Sequence, residues 1–387
     1  MKLKRVSIKG LNNKVDCDLG FHDDINIVTG INGCGKTTFL KILWYAISGN
    51  IEHLISEISF ESFNLETSCF NLSLSSKDTV VEWKYNGNEI QKNGLIHLDS
   101  YSSALEIATL QSLIIESNTS SLFFPTFRRI EGGYLMANVQ TSGRIAKPLQ
   151  SLSPPFRSAF PLTVSILQSE RNSDKVSIKS EFDKLSKSLS IAAHKFICSI
   201  STYDLGLLLV SRYAHASEKT NEEFLRFSTL MSNQIEGIKS DIQSDQQEAL
   251  TILTKLQQAN NAVNSKRDEL LKPFKILSEL VIKVLRYKGI KLDDFVIGES
   301  TDAIDSRLLS AGEQQMLSFL CYNAFYEDSI IFIDEPELSL HADWQRRLFP
   351  NLMKQQSSNQ FIVATHSPFI YSKYADKEFV LSQEKGE

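Results

Sequence analysis

Eight residues near the N-terminus, Gly30-Ile-Asn-Gly33-Cys-Gly35-Lys36-Thr37, bring together the groups that bind a chain of phosphates. Glycines let consecutive backbone N–H groups close around an anion, and a helix beginning at the lysine adds partial positive charge at its N-terminus. The pattern GxxxxGK[ST] is met in full. Gly30, Asn32, Gly33, Cys34, Gly35, Lys36, Thr37 and Thr38 are therefore expected around a nucleoside triphosphate, with Lys36 on the β and γ phosphates and the Thr37 hydroxyl on Mg2+. A tight glycine turn with a chance Lys-Thr is the competing explanation. The position of the run, after a strand pattern and before a helix pattern, speaks against it.

A second group of reactive side chains lies near the C-terminus. Ser329-Ile-Ile-Phe-Ile-Asp334-Glu335-Pro336 ends a continuous apolar run on adjacent carboxylates. Asp334, at the strand end, suits the shell of a bound Mg2+, and Glu335, one residue on, suits the general base for an attacking water. Acidic turn residues closing an ordinary strand would look the same in isolation. His366, in Val363-Ala-Thr-His366-Ser-Pro, follows another apolar run. A lone histidine is usually incidental, but this one stands just past a strand end, as Asp334 does.

The elements that must position these groups are readable from periodicity. Val6 and Ile8 alternate with Arg5, Ser7 and Lys9, residues 15–19 repeat the alternation, and residues 25–29 run into Gly30, which makes three short strands. Phe39, Leu40, Leu43, Trp44 and Ile47 then follow helical spacing up to Ser48-Gly49. Residues 57–86 alternate again between turn signals and predict antiparallel strands; a helix over 103–116 and a strand at 122–125 follow. Pro148, Pro154, Pro155 and Pro161 mark residues 136–174 as a loop or linker. From Ser177 to Leu285 there are one proline and two glycines, a helical composition.

Between Phe224 and Leu270, steps of four and three visit fourteen positions, eleven of them apolar, which predicts a coiled-coil seam. One continuous helix over that span would be roughly 70 Å long; alternatively the polar run 239–248 is the tip of an antiparallel hairpin. A protruding arm and a helical subdomain packed on itself fit the pattern equally. Strand patterning returns at 295–297, 329–333 and 360–364, the last two as parallel strands covered on both faces. The expected fold class is α/β, with a mixed sheet, an antiparallel β subdomain and a helical or coiled-coil insertion. The expected domains are an N-terminal lobe over 1–135, the insertion over 136–284 and a C-terminal lobe over 285–387.

Composition narrows the setting. With 387 residues, 42% hydrophobic and 22% charged, the chain can bury a sizeable core, which excludes disorder and a disulfide-stapled miniprotein. The 41 Lys and Arg against 46 Asp and Glu leave a net charge of −5, so any nucleic-acid contact must use a local patch such as Lys283, Arg286, Lys288 and Lys291. Five scattered cysteines without a CxxC pair, no run of the ~18 apolar residues a membrane span needs and no leader pattern predict a cytoplasmic chain with free thiols.

Leu309-Ser310-Ala311-Gly312-Glu313-Gln314-Gln315 reads locally as a helix start, with Ser310 as N-cap and Glu313 completing a capping box. It also resembles the LSGGQ signature of ABC-type ATPases, and its order before the paired carboxylates and His366 follows that class. Ser310 lies 274 residues after Lys36, an interval that resembles the RecF, SMC and OLD branch rather than transport cassettes. The strings Phe123-Phe-Pro-Thr-Phe-Arg-Arg-Ile-Glu-Gly-Gly133 and Asp334-Glu-Pro-Glu-Leu-Ser-Leu-His341 are similar to bacterial anti-phage ATPases of the PtuA, AriA and OLD groups. The resemblance implies an ABC-type head that dimerises around two ATP molecules with Mg2+. Ser310 and Gly312 would meet the γ phosphate held by the other copy, His366 would act as switch histidine, and 337–341 would fall at the dimer contact. It further implies a homodimer or higher oligomer serving a separate effector, a nuclease or toxin, in anti-phage defence. The alternative is a RecF-like repair ATPase that binds DNA. The family's glutamine after the third sheet strand has no counterpart, since the strand leads into Pro125 and Arg128-Arg129; Arg128 takes a phosphate or belongs to a solvated pair. The chain ends 21 residues after His366, so no TOPRIM nuclease domain is expected within it.

Overall fold

Alternation of buried and exposed side chains shapes the first sheet. The computed structural model describes residues 1–13, 15–87, 90–98, 103–126, 129–130, 178–200, 202–240, 246–285 and 310–381. In β1 (Leu3–Leu11), Leu3, Val6, Ile8 and Leu11 are buried while Lys4, Arg5 and Lys9 face water, the pattern of a strand with one covered face. β1 pairs antiparallel with β2 (Val15–Gly20) and with β4 (Ser62–Thr67), which continues through β5 (Phe70–Lys77), β6 (Val80–Gly87) and β7 (Gln91–His97). The strand order is β2-β1-β4-β5-β6-β7.

The second sheet is built from continuous apolar runs. β3 (Ile25–Thr29), β8 (Ser121–Phe124), β12 (Ile330–Asp334) and β13 (Gln360–Ala364) are buried at every position, as parallel strands covered on both faces must be. With β10 (His194–Phe196) and β14 (Glu378–Val380) they stand in the order β10-β8-β12-β13-β3-β14. Strands from both ends of the sequence thus share one parallel sheet, so their C-terminal ends bring residues 30, 125, 335 and 365 to one edge. β9 (Arg129–Ile130) and β11 (Ser199–Ile200) form a separate parallel pair.

Against these sheets lie α1 (Lys36–Ser48), α2 (Ile51–Glu57), α3 (Ser103–Glu116) and α4 (Ile178–Leu189). Nearly all of α1 is buried. Its Trp44 ring sits 5.4 Å from both Phe123 and Phe196, which stack on each other, and Phe123 lies 6.0 Å from Phe332 of β12. This aromatic block fixes α1, and with it the phosphate loop, to the strand that carries Asp334.

The chain divides into two compact units: Met1–Ile200 with Ser310–Met316 and Tyr326–Glu387, and Ser201–Leu309 with Leu317–Phe325. In the second unit, α5 (Thr202–Ser240) and α6 (Gln246–Leu285) are separate helices, so the hairpin reading holds and the single continuous helix does not. Tyr213, early in α5, meets Phe274, late in α6, at 5.6 Å between ring centroids, which makes the pair antiparallel. The seam read from the sequence is half right. On α6 Leu256, Ala259, Val263 and Leu270 are partly covered, and on α5 so is Met231, but Phe224 is 59% exposed and Phe227, outside the seam, is half-buried in its place. Hairpin packing that begins at Tyr213 and Ala216 sets the phase of α5, and it runs off the register that Phe224 would require. No helix among the described residues is long and apolar enough to cross a membrane.

The expected strand at 295–297, Arg128 and the basic side chains from Lys283 to Lys291 lie outside the described residues. So do the side chains of the seam between Ile235 and Ile252 and the loop over 136–174.

Candidate nucleotide site

The phosphate loop forms because its backbone visits conformations that side chains resist. Gly33 and Gly35 have φ of 81° and 99°, and an added Cβ at either would meet nothing within 4 Å, so backbone conformation, not crowding, demands glycine there. Gly35 is the N-cap of α1. Lys36 follows at the first helical position, mostly buried, its Nζ donating to the carbonyls of Gly30 at 3.1 Å and Ile31 at 3.2 Å. Burial lowers the Lys36 ammonium from its ordinary range, while Cys34, Glu335, Asp334 and Glu337 act in the opposite direction. Thr38 accepts from the Asn12 amide at 3.4 Å. Ile31, Asn32 and Gly33 are exposed along the outer edge of the loop.

Asp334 closes β12 and is 1% exposed. Its Oδ2 accepts the Thr37 hydroxyl at 2.8 Å and also the hydroxyl of Thr126, two residues past the end of β8. Thr37 and Asp334, 297 positions apart, are therefore in direct contact. A hydroxyl and a carboxylate are hard oxygen donors of the kind Mg2+ takes, leaving further positions to phosphate and water. Glu335 has φ of 49°, a left-handed backbone that is uncommon for a non-glycine residue, and its N–H donates to the Ala364 carbonyl at 2.9 Å. Strain of order 1–3 kcal/mol at such a position is typically kept where it sets the course of a functional side chain.

The turn after β13 is held by Glu337, a residue whose sequence context is that of a loop. Glu337 accepts from the Thr365 hydroxyl at 2.9 Å and from the His366 backbone N–H at 2.8 Å. Gln345, on α8 (Ala342–Met353), accepts the Ser367 hydroxyl at 2.5 Å and donates to the Leu340 carbonyl at 2.7 Å, tying the same two segments again. Burial and the neighbouring Lys36 lower the His366 imidazole from its ordinary range, partly offset by Glu337.

Ser310 and Gly312 open α7 (Ala311–Phe325). The capping box is formed: the Glu313 carboxylate accepts the Ser310 N–H at 2.7 Å, and the Ser310 hydroxyl accepts the Glu313 N–H at 3.4 Å. A Cβ on Gly312 would lie 2.5 Å from the Ser339 carbonyl oxygen, and the buried Gln315 amide donates to the Pro336 carbonyl at 3.0 Å. The structure thus gathers Lys36, Thr37, Asp334, Glu335 and His366 at one sheet edge, and sets Gly312 and Gln315 against the 336–339 turn, with Ser310 capping their helix. Two further residues, Glu337 and Thr126, belong to this edge and are not apparent from sequence. Glu337 sits inside a motif that suggests another role, and Thr126 has the sequence context of a strand tail.

A family model for an AAA ATPase domain matches residues 1–371. The retron Ec83 probable ATPase of Escherichia coli is 24% identical over 398 residues, covering 91% of this chain and 65% of that protein. The retron Vc95 probable ATPase of Vibrio cholerae serotype O1 biovar El Tor is 22% identical over 385 residues, covering 92% of this chain and 68% of that protein. The chain spans about two thirds of the length of these curated relatives. Among solved structures, an Smc head domain from Pyrococcus furiosus with an extended coiled coil, bound to the C-terminal domain of ScpA, aligns with a TM-score of 0.35 and 14% identity over 96% of this chain and 91% of that one.

Proposed function

The chain belongs to the AAA ATPase domain family, and we propose that it binds ATP with Mg2+, hydrolyses it, and uses the cycle as a switch for a separate effector protein. The observation that carries the reading is the contact between Thr37 and Asp334, which joins a complete phosphate loop to the carboxylate of a buried strand. In this reading the backbone of residues 30–35 and the Lys36 ammonium hold the triphosphate. A Mg2+ held by Thr37 and Asp334 supplies neutralisation of the phosphate charge when bound. Glu335 takes a proton from water as the water oxygen adds to the γ phosphorus and the bond to the β–γ bridging oxygen breaks. His366, anchored by its backbone to Glu337, donates or accepts at the γ phosphate.

The seating of Gly312 and Gln315 on the 336–339 turn of their own chain, with Ser310 at the start of the same helix, supports a signature that serves the site of a second copy, giving a homodimer with two shared sites. The likeness to two retron ATPases joins the resemblance to anti-phage ATPases in supporting a place in defence, and with that place a separate effector such as a nuclease or toxin. Mixing two inactive variants tests the shared site. Lys36→Ala abolishes nucleotide binding in its own loop, and Ser310→Arg blocks the phosphate position of the partner. A heterodimer of the two retains one intact site, so turnover is expected to return on mixing toward half of the wild-type value per intact pair. Heterodimers that form and stay inactive would exclude sites shared between copies.

A further inference from the structure

We propose that Thr126 is a third protein group of the cation site, its hydroxyl lying in the metal shell beside Thr37 and Asp334. The proposal rests on the cation reading given above and extends it to a strand outside the motifs. β8 pairs in parallel with β12 in a register that sets Phe124 opposite Ile333. Pro125 ends the strand, since it has no N–H for the ladder. Continued past the strand, that register sets Pro125 beside Asp334 and Thr126 one position beyond it, close enough that the Asp334 Oδ2 atom accepts both the Thr126 and the Thr37 hydroxyls.

Two hydroxyls on one carboxylate oxygen place three hard oxygens, bearing a single negative charge, within a few ångströms of one another. Each hydroxyl donates one proton and keeps lone pairs that can face a cation. Three oxygens from three separate chain segments, with no nitrogen or sulfur among them, suit Mg2+ or Mn2+. A threonine that merely capped β8 would have no need to share the acceptor that the phosphate-loop threonine uses. Among the described residues no cluster of three His, Cys, Asp or Glu side chains offers a rival cation site.

The test compares nucleotide affinity with and without metal, read by titration of a fluorescent non-hydrolysable ATP analogue in Mn2+ and in EDTA. Thr126→Val keeps the shape and removes the hydroxyl; it is expected to weaken binding in Mn2+ by about 10-fold or more, the scale for losing a group that supports a metal, and to leave binding in EDTA within about twofold. Thr126→Ser should stay near wild type in both. Thr126→Cys, similar in size, should move the preference from Mn2+ toward Cd2+, because sulfur favours the softer ion. Unchanged Mn2+ dependence in Thr126→Val, equal losses with and without metal, or an unchanged Cd2+ to Mn2+ preference in Thr126→Cys overturns the assignment. Asp334→Asn is the control. If it loses the Mn2+ effect while Thr126→Val keeps it, only Thr126 is misassigned; if neither loses it, the cation reading itself fails.

Discussion

The Glu337 carboxylate accepts the backbone N–H of His366 at 2.8 Å, so the position of the histidine is set from the far end of the Asp334-Glu335-Pro336-Glu337 run. The other Glu337 oxygen takes the hydroxyl of Thr365, a fully buried residue. Removing the carboxylate strands a buried hydroxyl, at a cost of about 1–3 kcal/mol, and frees the turn. Glu337→Ala is expected to lower turnover by about 10-fold with ATP affinity nearly unchanged, and Glu337→Gln, which still offers one acceptor oxygen, to recover part of the loss. Equal turnover in wild type and Glu337→Ala, measured as phosphate release at saturating ATP, would show that the turn holds itself.

Gly312 is glycine for lack of space. Its missing Cβ would stand 2.5 Å from the Ser339 carbonyl oxygen, a backbone atom that cannot swing aside. Gly312→Ala should push the start of α7 off the 336–339 turn, costing about 1–3 kcal/mol as an overpacked contact does, and should reduce turnover more than stability. Thermal melting and phosphate release on the same preparation separate the two; an unaltered melt with full activity refutes the close approach.

A buried ion pair under α1 sets an acid limit on the first unit. Lys41 Nζ lies 2.5 Å from Glu57 Oε2, with the side chains 3% and 6% exposed, and Glu57 also meets His53 and the Tyr45 hydroxyl. Burial would raise the Glu57 carboxyl, but His53 and Lys41 outweigh it and hold the group below its ordinary 4.5. Stability from this carboxylate is thus present above about pH 4.5 and lost as pH falls through the lower folded value. Lys41→Met should cost about 3–5 kcal/mol by leaving a buried charge unpaired, and adding Glu57→Gln should restore a large part of it. Urea unfolding at neutral and acid pH measures both effects; strictly additive losses would show that the pair is uncoupled.

On the helical hairpin, Phe227 and Phe224 stand nearly one turn apart yet differ in cover, Phe227 half-buried and Phe224 exposed. Phe227→Asp is expected to destabilise α5 against α6 by about 2 kcal/mol or more, since it places a charge on a half-buried face. Phe224→Asp is expected to stay within about 0.5 kcal/mol, as exposed substitutions do. The opposite order in helix melting followed by circular dichroism would restore the seam read from sequence spacing.

Local pattern made the strand–loop–helix of residues 25–48 and the two buried strands at 330 and 360 legible, because each is a short run whose period and punctuation are its own. The resemblance to ATPase heads, carried by those motifs, agrees with the family match. The phase of α5 was not legible: apolar residues at Phe224, Leu225, Phe227, Leu230 and Met231 permit several stripes, and only the partner helix chooses one. Thr126 is hidden for a different reason. Its partner lies 208 residues away, and nothing near Pro125 signals that β8 runs beside β12. Glu337 stands in plain view within its motif, but its contact with the turn after β13 depends on sheet order, which local pattern does not carry.

If Glu335 is the base of an ATP-hydrolysing site built around Lys36, Thr37 and Asp334, removing its charge slows hydrolysis and spares binding. ATP binding and phosphate release by wild type and Glu335→Gln, measured side by side in Mg2+, test it most directly. The variant is expected to bind ATP within about threefold of wild type and to release phosphate at least about 100-fold more slowly, the scale for removing a general base. Wild-type turnover in Glu335→Gln would show that Glu335 is not the base.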